Sequence, residues 1–309
     1  MWKFPSFKPR AKRSRSSMGA GAAGESAPRA EIPGMVTSAE MDFFRESAAR
    51  YAGKEGAIVD LGCWLGATSI ALAQGLLDHG SQADNRTEKV FGFDRFVWEE
   101  WMPAHIPSGH YHAGESFLPE ARRLVSDHGG DRIELIQADL TLFEWRDGPI
   151  KILLVDAMKS ESIASQITTS FFPSLMPGGL LIHQDFKHYY TSWIHVIQHR
   201  LRRYFRLDAS VPRSATVAFE VIAPVPKEVV DQATDLSTIP DDEVAASFRY
   251  SLDLVGPDDC VNVAAAHVMQ YVHLGRKDRA LETLETYRSL IMSDNSEFPK
   301  VMSYLDQLA

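Results

Sequence analysis

Cysteine is scarce in this chain, and long apolar runs are missing from it. Only Cys63 and Cys260 occur in 309 residues, far apart and without CxxC or Cys/His ligand spacing. That excludes a disulfide scaffold and a zinc ribbon, and it points to a reducing, cytoplasmic compartment. No stretch of about 18 consecutive apolar residues is present, so no transmembrane helix is expected. Acids are absent from residues 1–15, which hold six cations: Lys3, Lys8, Arg10, Lys12, Arg13 and Arg15. Set against the net −9 of the whole chain, those six leave −15 on the remainder. So acidic a body lacks the clustered Lys and Arg that phosphate contacts require, and no nucleic-acid partner is expected.

What is present is ordinary for a globular chain: 45% apolar and 24% charged residues. Residues 1–34 stand apart as a basic tail rich in Ser, Ala, Gly and Pro, with no apolar period, and read as disordered. The tail has no apolar h-region of a secretory signal, and Pro5 and Pro9 argue against the amphipathic helix of a transit peptide. Order begins near Met35. Thr37-Ser38-Ala39-Glu40 spells a capping box, and Met41, Phe44, Ala48 and Tyr51 follow at helical spacing.

Strands and helices then alternate. Strands are expected over 56–60, 89–94, 133–138, 150–156, 179–183, 206–211 and 215–222, with helices over 67–77, 119–127, 162–174 and 191–204. Crossovers through helices make a sheet parallel, whereas the short Pro-Arg-Ser link before the last strand makes that strand antiparallel. The expected fold is α/β, a doubly wound, seven-stranded, mainly parallel sheet over 35–224. Residues 225–309 form a helical appendage, with helices over 241–254, 260–274 and 278–292. One helical pair there loosely resembles a tetratricopeptide unit, and the appendage packs on the sheet or on a second copy, as a homo-oligomer would.

The chemistry-bearing residues sit where strands end. Asp60-Leu61-Gly62-Cys63-Trp64-Leu65-Gly66 is a strand-to-helix turn whose glycines let backbone approach a ligand. Asp94 ends the second strand, where an acid can accept both ribose hydroxyls of an adenosine. Asp139 follows the third strand, within reach of an adenine amino group. Asp156 ends the fourth. Ligands of open α/β sheets bind in the crevice these ends line. His183 and His188 titrate near neutrality and are candidate bases. Trp98, Trp101, His105, His110, Tyr111 and His112 offer rings for stacking on a sugar or aromatic acceptor.

This arrangement resembles the class I S-adenosylmethionine-dependent methyltransferases over Met35 to Ile222. The resemblance rests on the glycine turn, Asp94, Asp139, Leu175-Met176-Pro177-Gly178-Gly179 and the reversed last strand. At this turn the dinucleotide form Gly-x-Gly-x-x-Gly is absent, which disfavours an NAD enzyme. More narrowly, Phe91-Gly92-Phe93-Asp94-Arg95-Phe96, Val155-Asp156, Glu161-Ser162 and Pro177-Gly178-Gly179 are similar to segments of the macrocin O-methyltransferase-like group. That resemblance implies a Rossmann-like methyltransferase fold, with S-adenosylmethionine at Asp60, Gly62, Cys63, Gly66, Asp94 and Asp139. It also implies Mg²⁺ held by Asp156, Gln184 and Asp185, although the group has paired acids where this chain has Gln184-Asp185. The resemblance to catechol-type enzymes implies Lys159 as general base. The expected activity is O-methylation of a small or sugar-containing metabolite. N-methylation, and a cofactor-binding, partner-docking protein without turnover, stay open beside it.

Overall fold

The computed structural model describes residues 33–79, 88–100, 102, 111–291 and 298–308. Nearly all of the basic tail, together with Trp101, His105 and His110, lies outside the described residues.

The first helix, α1 (Ser38–Tyr51), starts at the capping box: Thr37 Oγ1 accepts the Glu40 amide and the Glu40 carboxylate accepts the Thr37 amide. Its apolar stripe of Phe44, Ala48 and Tyr51 is buried against α2 (Ala67–His79). The two helices cross closely because Gly75 has no side chain. A Cβ there would lie 2.1 Å from the Arg45 carbonyl oxygen.

Seven strands follow the expected order of types: β1 (Ala57–Leu61), β2 (Val90–Asp94), β3 (Ile133–Gln137), β4 (Ile150–Val155), β5 (Leu175–His183), β6 (Phe205–Ser210) and β7 (Val217–Val221). They lie side by side as β3-β2-β1-β4-β5-β7-β6. β7 runs antiparallel to both of its neighbours, and the first five strands pair in parallel. All six residues of β4 are buried, as befits a strand covered on both faces. The covering helices between strands are α2, α3 (Leu118–Gly129), α4 (Glu161–Phe171) and α5 (Trp193–Leu201).

The C-terminal region is helical: α6 (Lys227–Thr234), α7 (Asp241–Leu254), α8 (Cys260–His273), α9 (Lys277–Thr286), α10 (Arg288–Ile291) and α11 (Phe298–Asp306). The helix expected over 278–292 is interrupted at Tyr287, whose backbone leaves helical geometry at ψ 6. Every residue of α8 from Val263 to Val272 is buried, the polar His267 and Gln270 included. One apolar core runs from β4 and β5 through Val196 and Ile197 of α5 to Phe248 of α7 and Val268 of α8. α8 is therefore covered within its own chain and needs no second copy to cover it. Among the described residues no helix is long and apolar enough to cross a membrane.

Candidate functional site

Strand register lines up the candidate residues. Ile136, Phe93, Leu61, Val155 and His183 are direct partners across β3, β2, β1, β4 and β5. The residue after each therefore forms one rim: Gln137, Asp94, Gly62, Asp156 and Gln184. The chain leaves β1 toward β2 on one side and returns to β4 on the other, so the rim is centred on the topological switch point.

Gly62 is required there. Its φ is +85°, and a Cβ would stand 2.5 Å from the Asp156 carbonyl oxygen. The turn runs flush against the end of β4, and a side chain would push the two apart. Trp64 follows in the left-handed region at φ 48°, and Gly66 closes the turn with its amide on the Cys63 carbonyl at 2.7 Å. The Cys63 amide is committed to the Phe93 carbonyl at 3.1 Å. Burial pushes the Cys63 thiol up, with Asp60 and Asp94 adding to the effect, so it is no nucleophile.

Asp60 is corrected by the structure. It is 0% exposed, so it does not reach a ligand. One oxygen accepts the hydroxyls of Thr68 and Ser69 at 2.7 and 2.5 Å, pinning the start of α2 to the end of β1. Burial pushes its carboxyl up to about 6, with the two hydroxyls opposing. Asp94 remains at the rim, half-buried. Its Oδ2 accepts the Trp64 amide at 3.1 Å and its Oδ1 the Phe96 amide at 2.7 Å. Burial raises its pKa, and those two amides pull against the rise. Each oxygen keeps a lone pair for a further donor. Asp139 is exposed and accepts both the amide and the hydroxyl of Thr141, at 2.9 and 2.6 Å, which lowers its pKa.

The aromatic segment is only partly a surface. Trp98 is buried in a small core with Phe96 and Phe117, and its ring lies 5.1 Å from Tyr111. Packing, not an open stacking face, accounts for Trp98. His112 is exposed.

Lys159 joins the two acids after β4 and β5. Its Nζ donates to Asp156 Oδ1 at 2.7 Å and to Asp185 Oδ2 at 2.5 Å. Desolvation of the Lys159 ammonium, whose stem stays exposed, opposes its charge, but the two carboxylates outweigh it and hold the ammonium above its ordinary pKa. That is the reverse of what a general base at neutral pH needs, which corrects the expected role of Lys159. Burial pushes Asp156 up, the Lys159 charge pulls it back, and Asp185 pushes it up again. Gln184 is buried, and its Oε1 has no hydrogen-bond partner. Mg²⁺ does not fit this donor set. An ammonium already stands between the carboxylates at hydrogen-bond distance, and Mg²⁺ needs oxygens at about 2.0–2.1 Å around it. Among the described residues no group of three or more His, Cys, Asp or Glu is gathered around one point.

His183 is a core residue, a second correction. It is 2% exposed, with its ring 6.2 Å from those of Phe172, Phe186 and Phe219. Burial lowers its pKa to about 4, so it is neutral and sealed from the rim. His188 lies half-buried beyond Asp185, with Nδ1 accepting the Tyr190 amide at 3.3 Å and its ring 4.7 Å from Tyr189. Sequence reasoning missed Thr68 and Ser69 as holders of Asp60, and it missed the left-handed Trp64. The hydroxyl pair directly after the glycine turn was the available signal for the first.

Residues 59–186 match the family model described as a methyltransferase domain. Over that segment the chain is similar to this family. The matched segment begins inside β1 and ends just past Asp185, so it contains the whole rim. No curated protein matches the sequence significantly. Among solved structures, the O-methyltransferase NovP is similar at 18% identity and TM-score 0.48, over 62% of this chain and 83% of that one. A TDP-rhamnose 3'-O-methyltransferase of calicheamicin biosynthesis is similar at 14% identity and TM-score 0.45, over 59% and 77%. An rRNA methylase from Streptococcus thermophilus is similar at 17% identity and TM-score 0.37, over 59% and 95%.

Proposed function

We propose that the methyltransferase domain moves the methyl group of S-adenosylmethionine to a hydroxyl oxygen of a small or sugar-containing acceptor. One observation carries this reading: a flush glycine turn, a ribose-competent acid and a charged acid–lysine–acid cluster share one rim at the switch point. The residues fit the cofactor. Gly62 leaves room for backbone contact, and Asp94 keeps two lone pairs for ribose hydroxyls. The cofactor supplies an electrophilic methyl on a sulfonium.

The chain's own residues do the rest. The turn and Asp94 fix one reactant, and the loop after β5, with His188 and Tyr189, bounds the acceptor. Alignment of this kind is the larger contribution in displacement chemistry. Asp156 receives the hydroxyl proton as the oxygen attacks carbon. Its raised proton affinity suits it to the base role better than an ordinary carboxylate. The acceptor is a small molecule rather than nucleic acid, given the acidic body, and the setting is cytoplasmic, given two free cysteines.

Calorimetry with S-adenosylhomocysteine and turnover on a library of hydroxylated acceptors test the proposal. Micromolar binding is expected, together with loss of about 10²–10⁴-fold in turnover for Asp156→Asn. Absence of binding would overturn it.

A further inference from the structure

We propose that the Lys159 ammonium is the built-in cation of this site: it takes the seat between Asp156 and Asp185 and thereby excludes a divalent ion from it. The inference rests on the proposed methyl transfer for its purpose, but the geometry stands without it.

The seat is made by the sheet. Val155 and His183 are register partners on adjacent strands, so Asp156 stands opposite Gln184 with Asp185 one residue beyond, and the Asp156 and Asp185 carboxylates both reach Lys159 Nζ. The lysine is delivered by the β4–α4 connection. The Lys159 amide bonds the Ala157 carbonyl at 2.9 Å, and Ser160 caps α4 through the Ile163 amide at 3.3 Å. This turn aims the side chain back over the acids. The lysine side chain is 57% exposed, whereas those of Asp156 and Asp185 are 20% and 13% exposed. The ammonium thus arrives from the solvent side and covers two carboxylates that face inward.

Charge and geometry agree. The seat offers the oxygens of Asp156 and Asp185, and the ammonium fills it with one hydrogen bond to each acid. A divalent ion would have to displace Nζ, since a cation cannot share the gap with an ammonium 2.5–2.7 Å from both oxygens. Lys159 is therefore a positioning residue: it fixes the two carboxylates against their mutual repulsion and orients Asp156.

Mn²⁺ titration of the full-length chain, followed by electron paramagnetic resonance and calorimetry, tests this directly. The wild type is expected to take up no Mn²⁺ at millimolar concentration. Lys159→Ala and Lys159→Gln are each expected to gain one site per chain, and adding Asp185→Asn should abolish it. Gln184→Asp in the Lys159→Ala background should tighten that site. S-adenosylhomocysteine affinity should stay level throughout, which also reports that each variant is folded. A wild-type Mn²⁺ site that Asp185→Asn removes would overturn the proposal, as would folded Lys159 variants that gain none. Absence of S-adenosylhomocysteine binding by the wild type would instead overturn the methyltransferase reading; circular dichroism then reports the folding of each variant, and the Mn²⁺ result is read by itself.

Discussion

Asp94 organises two strained residues at once. Trp64 and Phe96 both sit at positive φ, 48° and 51°, a conformation costing of order 1–3 kcal/mol in a non-glycine residue. Both donate their amides to the one carboxylate. Asp94→Ala should therefore weaken S-adenosylhomocysteine binding by about 1–3 kcal/mol in calorimetry and lower the melting temperature as well. Unchanged affinity would remove the ribose assignment. Gly62→Ala should cost at least about 2 kcal/mol in urea unfolding, since strain and a backbone clash coincide. A variant as stable as wild type would show that the turn can lift off β4. The acids of the rim were legible in the sequence because each ends an apolar strand. Their fates were not, because partners decided them. Asp60 is drawn inward by hydroxyls on α2, and Lys159 is captured by Asp185, 26 residues away in sequence and adjacent only through strand pairing.

Elements were legible where their period was strong and hidden where tertiary contact makes them. The pattern over 241–254 coincides with α7. α6 buries only Val230, Ala233 and Thr234, too few to announce a helix. α11 is placed partly by Tyr304, whose ring lies 5.7 Å from Tyr190 after β5. A buried ion pair also ties the helical region to the sheet. Lys187, just past β5, donates to Asp259 at 2.8 Å and to the Val211 carbonyl at 2.7 Å, and its side chain is 0% exposed. Lys187→Met should destabilise by about 3–5 kcal/mol in urea unfolding, because it leaves a buried carboxylate without its partner. Lys187→Met with Asp259→Leu should recover part of that loss, with the Val211 carbonyl left to the Ser214 hydroxyl at 3.1 Å. Equal stability of the single variant and wild type would mean that Asp259 reaches water.

Across the whole molecule, a ladder of buried rings joins sheet to appendage. His183 meets Phe186, Phe186 meets His195 at 4.7 Å, His195 meets Phe248 at 4.7 Å, and Phe248 stacks on His267 at 4.4 Å. His273 lies alongside, 5.0 Å from Trp193. Burial lowers the pKa of His183 and His273 to about 4 and of His195 and His267 to about 3. All four are neutral when folded at pH 5, and all four take up a proton on unfolding, since the unfolded value is about 6.5. Their contribution is thus complete above pH 6.5 and is lost as pH falls toward the folded values. Asp60, pushed up to about 6, and Asp156, also raised, act in the opposite sense: each binds a proton more readily folded than unfolded. Near pH 5 the balance is roughly two protons taken up on unfolding, or about 2.7 kcal/mol lost per pH unit. Urea unfolding followed from pH 7.5 down to 4.5 should show that slope develop near pH 5, and His267→Phe should shallow it there by about one proton. A flat profile would mean that the ladder opens to solvent before the fold does, and that the helical region is held by its ion pair and aliphatic core alone.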